Sequence, residues 1–161
     1  MALSSDEAFL AVLWKALDDA RLEAILVGSA GAAVQGAPVT TQDFDILIRD
    51  TPLNRTKLDD VASRIGAARP RKLSPLAKAV TMVGAEIPID VLFDELVGAL
   101  KFEAVRSRAV SITLGDVTIV SASLADIIAS KRAANRPKDQ AQLPILESTL
   151  RVLEELKNRD E

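Results

Sequence analysis

Two hydrophobic periods take turns along this chain. Phe9, Leu10, Leu13, Trp14 and Leu17 recur at helical intervals behind Ser4 and Glu7, a pair with capping-box spacing, so the first helix is predicted over Ser5 to Arg21. Ala24 to Val27 is a short apolar run ending at Gly28-Ser29 and reads as a buried strand. Ala30 to Gln35 predicts a short helix closed by Gly36, with Pro38 two residues on. Asp43 to Ile48 reads as a second strand. Thr51-Pro52 opens a helix through Leu53, Leu58, Val61, Ala62 and Ile65, which Gly66 closes. Val80 to Val83 and Ile87 to Phe93 are predicted strands joined by a Gly84-Ala85 turn, and Asp94 to Leu100 is expected to be helical. Gly115-Asp116, between Ala109 to Leu114 and Val117 to Val120, signals a hairpin. Ser123 and Asp126 cap a helix running to about Asn135, Pro137 interrupts it, and a last helix covers about Lys138 to Lys157. Strands alternating with helices, followed by helices alone, predict an α/β (α+β) fold: a mixed β-sheet flanked by helices, with a helical C-terminal cap.

No internal repeat or low-complexity linker divides the 161 residues, of which 48 % are hydrophobic. One domain over residues 1–161 is expected, with a core at about 22–120 and a helical part at about 121–161. The net charge of −3 excludes a globally basic nucleic-acid binder but leaves room for a local basic patch. Cysteine and histidine are both absent, which removes disulfides, thiolate zinc sites, thiol nucleophiles and any imidazole base. Chemistry must then rest on carboxylates, amines, hydroxyls and bound metal. The acidic N-terminus does not read as a targeting segment. The longest uncharged stretch, Ala24 to Gln42, carries Gly28, Gly31, Gly36 and Pro38 and does not read as a membrane span. A cytoplasmic protein without membrane contact is expected.

The informative acids are Asp43 and Asp45. In a strand, residues i and i+2 share a face, so these two carboxylates stand side by side while Phe44 and Ile46 take the other face. Such a pair repels itself and loses hydration, and a hard divalent cation repairs both problems. A short D-x-D is more often two solvated acids at a strand end, but Asp90 changes the balance: it stands alone in the apolar strand Ile87 to Phe93, where an ionised carboxylate needs a partner or a metal. Gly28-Ser29, between a strand and a helix, lets backbone N–H groups approach a phosphate, although taken alone it is more often an ordinary strand-to-helix turn. The glycine spacing does not fit a Rossmann fingerprint. The acids precede the apolar run rather than ending it, unlike those of the phosphatases that use D-x-D.

Taken in order, Val27-Gly28-Ser29, Ala30 to Gln35, Gly36 and Thr41-Gln42-Asp43-Phe44-Asp45 resemble the nucleotidyltransferase superfamily with the DNA polymerase β-like fold, and Asp90 falls where that family has its third acid. Ser123 to Asp139 looks like the signature of the AbiEii-like toxins, a helix carrying a Lys followed by an Arg-x-Lys-Asp turn. The resemblance covers roughly Leu26 to Leu146. It implies a Mg2+-dependent transfer of NMP from an NTP to a hydroxyl, with Asp43, Asp45 and Asp90 as catalytic residues and ligands of two Mg2+ ions. It further implies nucleotide binding by Gly28, Ser29, Thr41, Lys131, Arg132 and Lys138. Relatives often carry Arg where Val39 stands and a second Asp where Gln142 stands.

Charge runs bear on the acceptor. Val61 to Ala85 holds Arg64, Arg69, Arg71, Lys72 and Lys78 and no acid, and Ile127 to Lys138 holds Lys131, Arg132, Arg136 and Lys138, again with none. Rimming the acidic pocket, they would form a track for RNA; as solvated faces they would not. The first expectation is a toxin-like enzyme modifying tRNA or protein and countered by a cognate antitoxin. A small-molecule, antibiotic-type nucleotidyltransferase is the second. The third is a degenerate module that binds a nucleotide or a partner without catalysis, for which Val39 and Gln142 argue.

Overall fold

Residues 3–70 and 78–160 are described by the structure, a computed structural model. In chain order the elements are α1 (Ser5–Asp19), β1 (Ile25–Val27), α2 (Gly28–Ala33), β2 (Phe44–Ile48), α3 (Pro52–Ile65), β3 (Ala79–Met82), β4 (Ile89–Phe93), β5 (Glu95–Leu96), β6 (Leu100–Lys101), α4 (Phe102–Arg108), β7 (Val110–Leu114), β8 (Val117–Ser121), α5 (Leu124–Ala134) and α6 (Pro137–Arg159). Local chemistry explains most boundaries. Ser4 and Glu7 close a reciprocal capping box on α1, Thr51 caps α3, and Gly66 ends α3 in the left-handed conformation at φ 75°.

The sheet has the order β3-β4-β2-β1-β8-β7 and is mixed, as expected: β2–β4 and β1–β8 run parallel, while β1–β2, β3–β4 and β7–β8 run antiparallel. Alternation along the strands builds two cores. Phe44, Ile46 and Ile48 join Leu26, Val91 and the buried faces of α1 and α3, with Phe9 stacked on Phe44 at 5.9 Å between ring centroids. Leu47, Ile25 and Val27 point the other way, into a core shared with α4, α5 and Leu146 of α6. The site lies on this second face.

One expected element is absent. Asp94 to Leu100 is not a helix but turns through the two-stranded hairpin β5–β6. Asp94, Gly98 and Ala99 all have positive φ, at 70°, 96° and 59°, which no right-handed helix accommodates. Tertiary bonds hold the turn: the Asp94 N–H donates to the Ile48 carbonyl at 2.9 Å, and Asp94 Oδ1 accepts from the Asp50 N–H at 2.8 Å. Helix α4 follows directly, where no element was expected.

Candidate active site

Register places the three acids. Because Phe44, Ile46 and Ile48 face the first core, Asp45 turns to the opposite side, and Asp43, one residue before β2, lies on that side too. The parallel pairing of β2 with β4 sets Asp90 directly beside Asp45. One oxygen from each of Asp43, Asp45 and Asp90 falls within 4.8 Å of the others. On the edge strand β3, Thr81 stands opposite Asp90 and its hydroxyl donates to Asp90 Oδ1 at 2.6 Å.

Crowding shows in the protonation equilibria. Burial, then the charges of Asp43 and Asp90, push the Asp45 carboxyl up from 3.8 to about 7. Asp43 is also raised, first by burial and then by its hydrogen bond and repulsion with Asp90, while Lys138 pulls it back. A cluster of hard oxygens that resists its own ionisation is the donor set a divalent cation such as Mg2+ satisfies, so these residues fit a metal.

Gly28 faces the acids at a point where only glycine fits. Its φ is 65°, and a Cβ there would overlap Asp45 Oδ2 and lie 3.3 Å from Asp45 Cγ. Next to it, Ser29 joins the sheet to the C-terminal helices. Its hydroxyl accepts from the Lys131 ammonium at 3.1 Å and donates to Gln142 Oε1 at 3.0 Å. Lys131 is only 8 % exposed and lies 3.6 Å from Asp139. Burial lowers its pKa, Asp139 opposes that shift, and Lys138 and Arg136 reinforce it. Asp139 is fully buried; burial pushes its carboxyl up, but the Arg136 guanidinium and backbone N–H outweigh that and hold it below the usual range. Asp139 therefore answers chiefly to Arg136, at 2.7 and 3.2 Å, and leaves Lys131 with positive charge to spare.

These groups line one cleft of about 690 Å³, with Asp43, Asp45 and Asp90 on the sheet and Lys131, Arg136 and Lys138 on the helices. Of the residues singled out in the sequence, Gly28 and Ser29 line it too. Two others do not. Thr41 lies beside a separate hollow and donates its hydroxyl to the Asp43 carbonyl, so it shapes the loop that presents Asp43. Arg132 is exposed and paired with Glu147 of α6. Sequence reasoning missed the parts played by Thr81, Asp139 and Gln142. Only the Arg136…Asp139 capping-box spacing carried a local signal.

Several described residues of the first basic run pair with acids. Arg64 pairs with Asp60 and Asp19, Arg69 with Asp59, and Lys78 with Glu95. Arg71 and Lys72 lie outside the described residues. Among the described residues, no helix is long and apolar enough to cross a membrane.

A test of the acid cluster follows from Thr81. Its hydrogen bond holds the Asp90 carboxylate beside Asp43 and Asp45. Thr81→Val is expected to weaken Mn2+ binding about tenfold in a calorimetric titration, and Thr81→Ser to restore it.

No family model matches the chain, and no curated protein matches it in sequence. Solved structures do match. The antibiotic-resistance factor ANT(2'')-Ia in solution superposes with a TM-score of 0.66 at 12 % identity, over 91 % of this chain and 84 % of that one. Its crystal structure with adenylyl-2''-tobramycin gives 0.64 at 13 %, over 98 % and 100 %. The lincosamide antibiotic adenylyltransferase LnuA, bound to lincomycin, gives 0.64 at 13 %, over 92 % and 99 %. The fold is that of these nucleotidyltransferases.

Proposed function

We propose that this chain is a Mg2+-dependent nucleotidyltransferase that moves NMP from an NTP to a hydroxyl. The observation that carries this reading is the convergence of Asp43, Asp45 and Asp90 in one cleft with Lys131, Arg136 and Lys138. Asp43, Asp45 and Asp90 would hold the metal, which supplies charge neutralisation at the attacking and leaving oxygens. Gly28, having no side chain, leaves room for a phosphate beside Asp45. Lys131, Arg136 and Lys138 bind the polyphosphate, and Lys131 exchanges its contact with Ser29 for a phosphate oxygen. Asp90, steadied by Thr81, takes the proton of the acceptor hydroxyl as its oxygen bonds to the α-phosphorus. The bond from that phosphorus to the bridging oxygen breaks, and pyrophosphate leaves.

A small hydroxylated molecule is the acceptor we favour, because Arg64, Arg69 and Arg132 are each held by an acid rather than free for a phosphate backbone. The fold neighbours that modify antibiotics agree with it. The toxin-like reading, with tRNA or protein as acceptor and an antitoxin as partner, rests on the AbiEii-like signature from Ser123 to Asp139.

Each α-labelled NTP should be incubated with Mg2+ and either a panel of small polyhydroxylated compounds or total tRNA. Label is expected on a small acceptor, and Asp43→Ala should cut its formation at least about a thousandfold. Label on tRNA alone would transfer the reading to the toxin-like enzyme. Absence of Mg2+-dependent NTP binding would leave a degenerate module.

A further inference from the structure

The cleft has a third wall that neither the metal nor the phosphates use. Leu92, Leu96 and Val97 contribute from β4 and the β5–β6 hairpin, and Ile127, Ala133 and Ala134 contribute from α5. The wall is continuous, since the hairpin tip touches the helix: a Cβ on Gly98 would lie 3.2 Å from the Ala133 Cβ. Val97, at that tip, is 52 % exposed, an aliphatic side chain left in water beside six charged groups. Besides Lys131, α5 offers the cleft one polar side chain, the Ser130 hydroxyl.

Resting on the nucleotidyltransferase reading, we propose that this wall is the nucleobase subsite, and that it holds the base by apolar area rather than by reading its edge. A nucleoside triphosphate has one large apolar surface, the face of its base. Once the polyphosphate spans from Lys131 to the acids, the aliphatic wall is what the cleft offers that face. Every Phe and the one Trp are buried in the cores, at 6 % exposure or less, so no aromatic ring stacks on the base. Contact falls to Val97, Leu96 and the alanines of α5. The wall itself has no carboxylate, amide or guanidinium, and the Ser130 hydroxyl beside it both donates and accepts and so favours neither adenine nor guanine; selectivity follows ring size.

The experiment measures dissociation constants of ATP, GTP, CTP, UTP and inorganic tripolyphosphate, all with Mg2+, for the full chain and for two variants at the exposed tip. In the wild-type chain, ATP and GTP are expected to bind within about threefold of each other, and both more tightly than CTP and UTP. Val97→Phe should tighten all four nucleotides about tenfold, since a ring on the wall adds base stacking, and Val97→Ser should weaken them about threefold. Tripolyphosphate should bind all three proteins alike. A preference above tenfold between ATP and GTP would overturn the area-based selectivity. Nucleotide affinities unmoved by both variants, with tripolyphosphate still bound, would overturn the subsite while sparing the nucleotidyltransferase reading. Failure of tripolyphosphate and nucleotides alike to bind the wild-type chain would remove both.

Discussion

At pH 8 in a chelator, Asp45→Asn is expected to melt roughly 4–8 °C above the wild-type chain, and with Mg2+ restored it should lack nucleotidyl transfer. In the unfolded chain Asp45 titrates at its ordinary 3.8, and in the folded protein at about 7. Between those values the native state keeps a proton that the unfolded chain has released. Stability therefore falls as pH rises through this window, and the full cost is present above it. Three pKa units correspond to about 4 kcal/mol, and solvent reaching the half-buried side chain leaves roughly half of that. The stabilisation by Asn should accordingly shrink as the pH is lowered from 8 toward 4. Mg2+ should raise the wild-type melting temperature and leave the variant almost unmoved. Thermal melts across this pH range, with and without Mg2+, check both points. A variant that melts lower than wild type at pH 8 would make Asp45 a structural partner instead of a frustrated ligand.

Gly28→Ala should be the most damaging single methyl group in the chain. Two costs combine: alanine at φ 65° loses about 1 kcal/mol against glycine, and its Cβ would displace the Asp45 carboxylate. Expected outcomes are a loss of about 2–4 kcal/mol in denaturant unfolding and a hundredfold or greater loss of Mn2+ affinity. Changing Asp45 separates the two costs. In an Asp45→Ala background the carboxylate is gone and the remaining Cβ lies 3.4 Å from where the new methyl would sit, so Gly28→Ala should cost only the backbone share, about 1 kcal/mol. Equal costs in both backgrounds would show that the carboxylate does not crowd this position.

The acids were legible because each is an anomaly in its own strand. Asp43 and Asp45 interrupt an apolar strand at a period of two, and Asp90 is alone in another, so the local pattern already raises the question of what neutralises them. Their meeting was not legible. It depends on β2 and β4 pairing in a register that puts position 45 beside 90, and nothing local encodes that register. The same limit hid Thr81, which matters only because β3 sets it opposite Asp90. Asp94 to Leu100 misled because its apolar residues are spaced as on a helix, while three positive-φ positions and bonds to Ile48 and Asp50 hold it as a hairpin. The basic runs could not be weighed from sequence alone. A run without acids in sequence is not a surface without acids, and Asp19 of α1 and Glu95 of β5 are brought near Arg64 and Lys78 by the fold. Gln142 stood out as a departure from a pattern, but its bond to Ser29 appears only when α6 folds back on α2.

Asp45 and Asp90 stand side by side, yet 45 positions of chain separate them. Joining β2 to β4 closes a long loop around α3 before any of the reward is collected, and the contact it makes is between like charges. During synthesis, a ribosome-bound chain that has exposed β2 but not β4 owns two of the three acids and no site. The three acids cannot meet until the central strands have docked. Nor is the cleft whole at that stage: it closes only when α5 and α6, still later in the chain, bring Lys131, Arg136 and Lys138 against the acids.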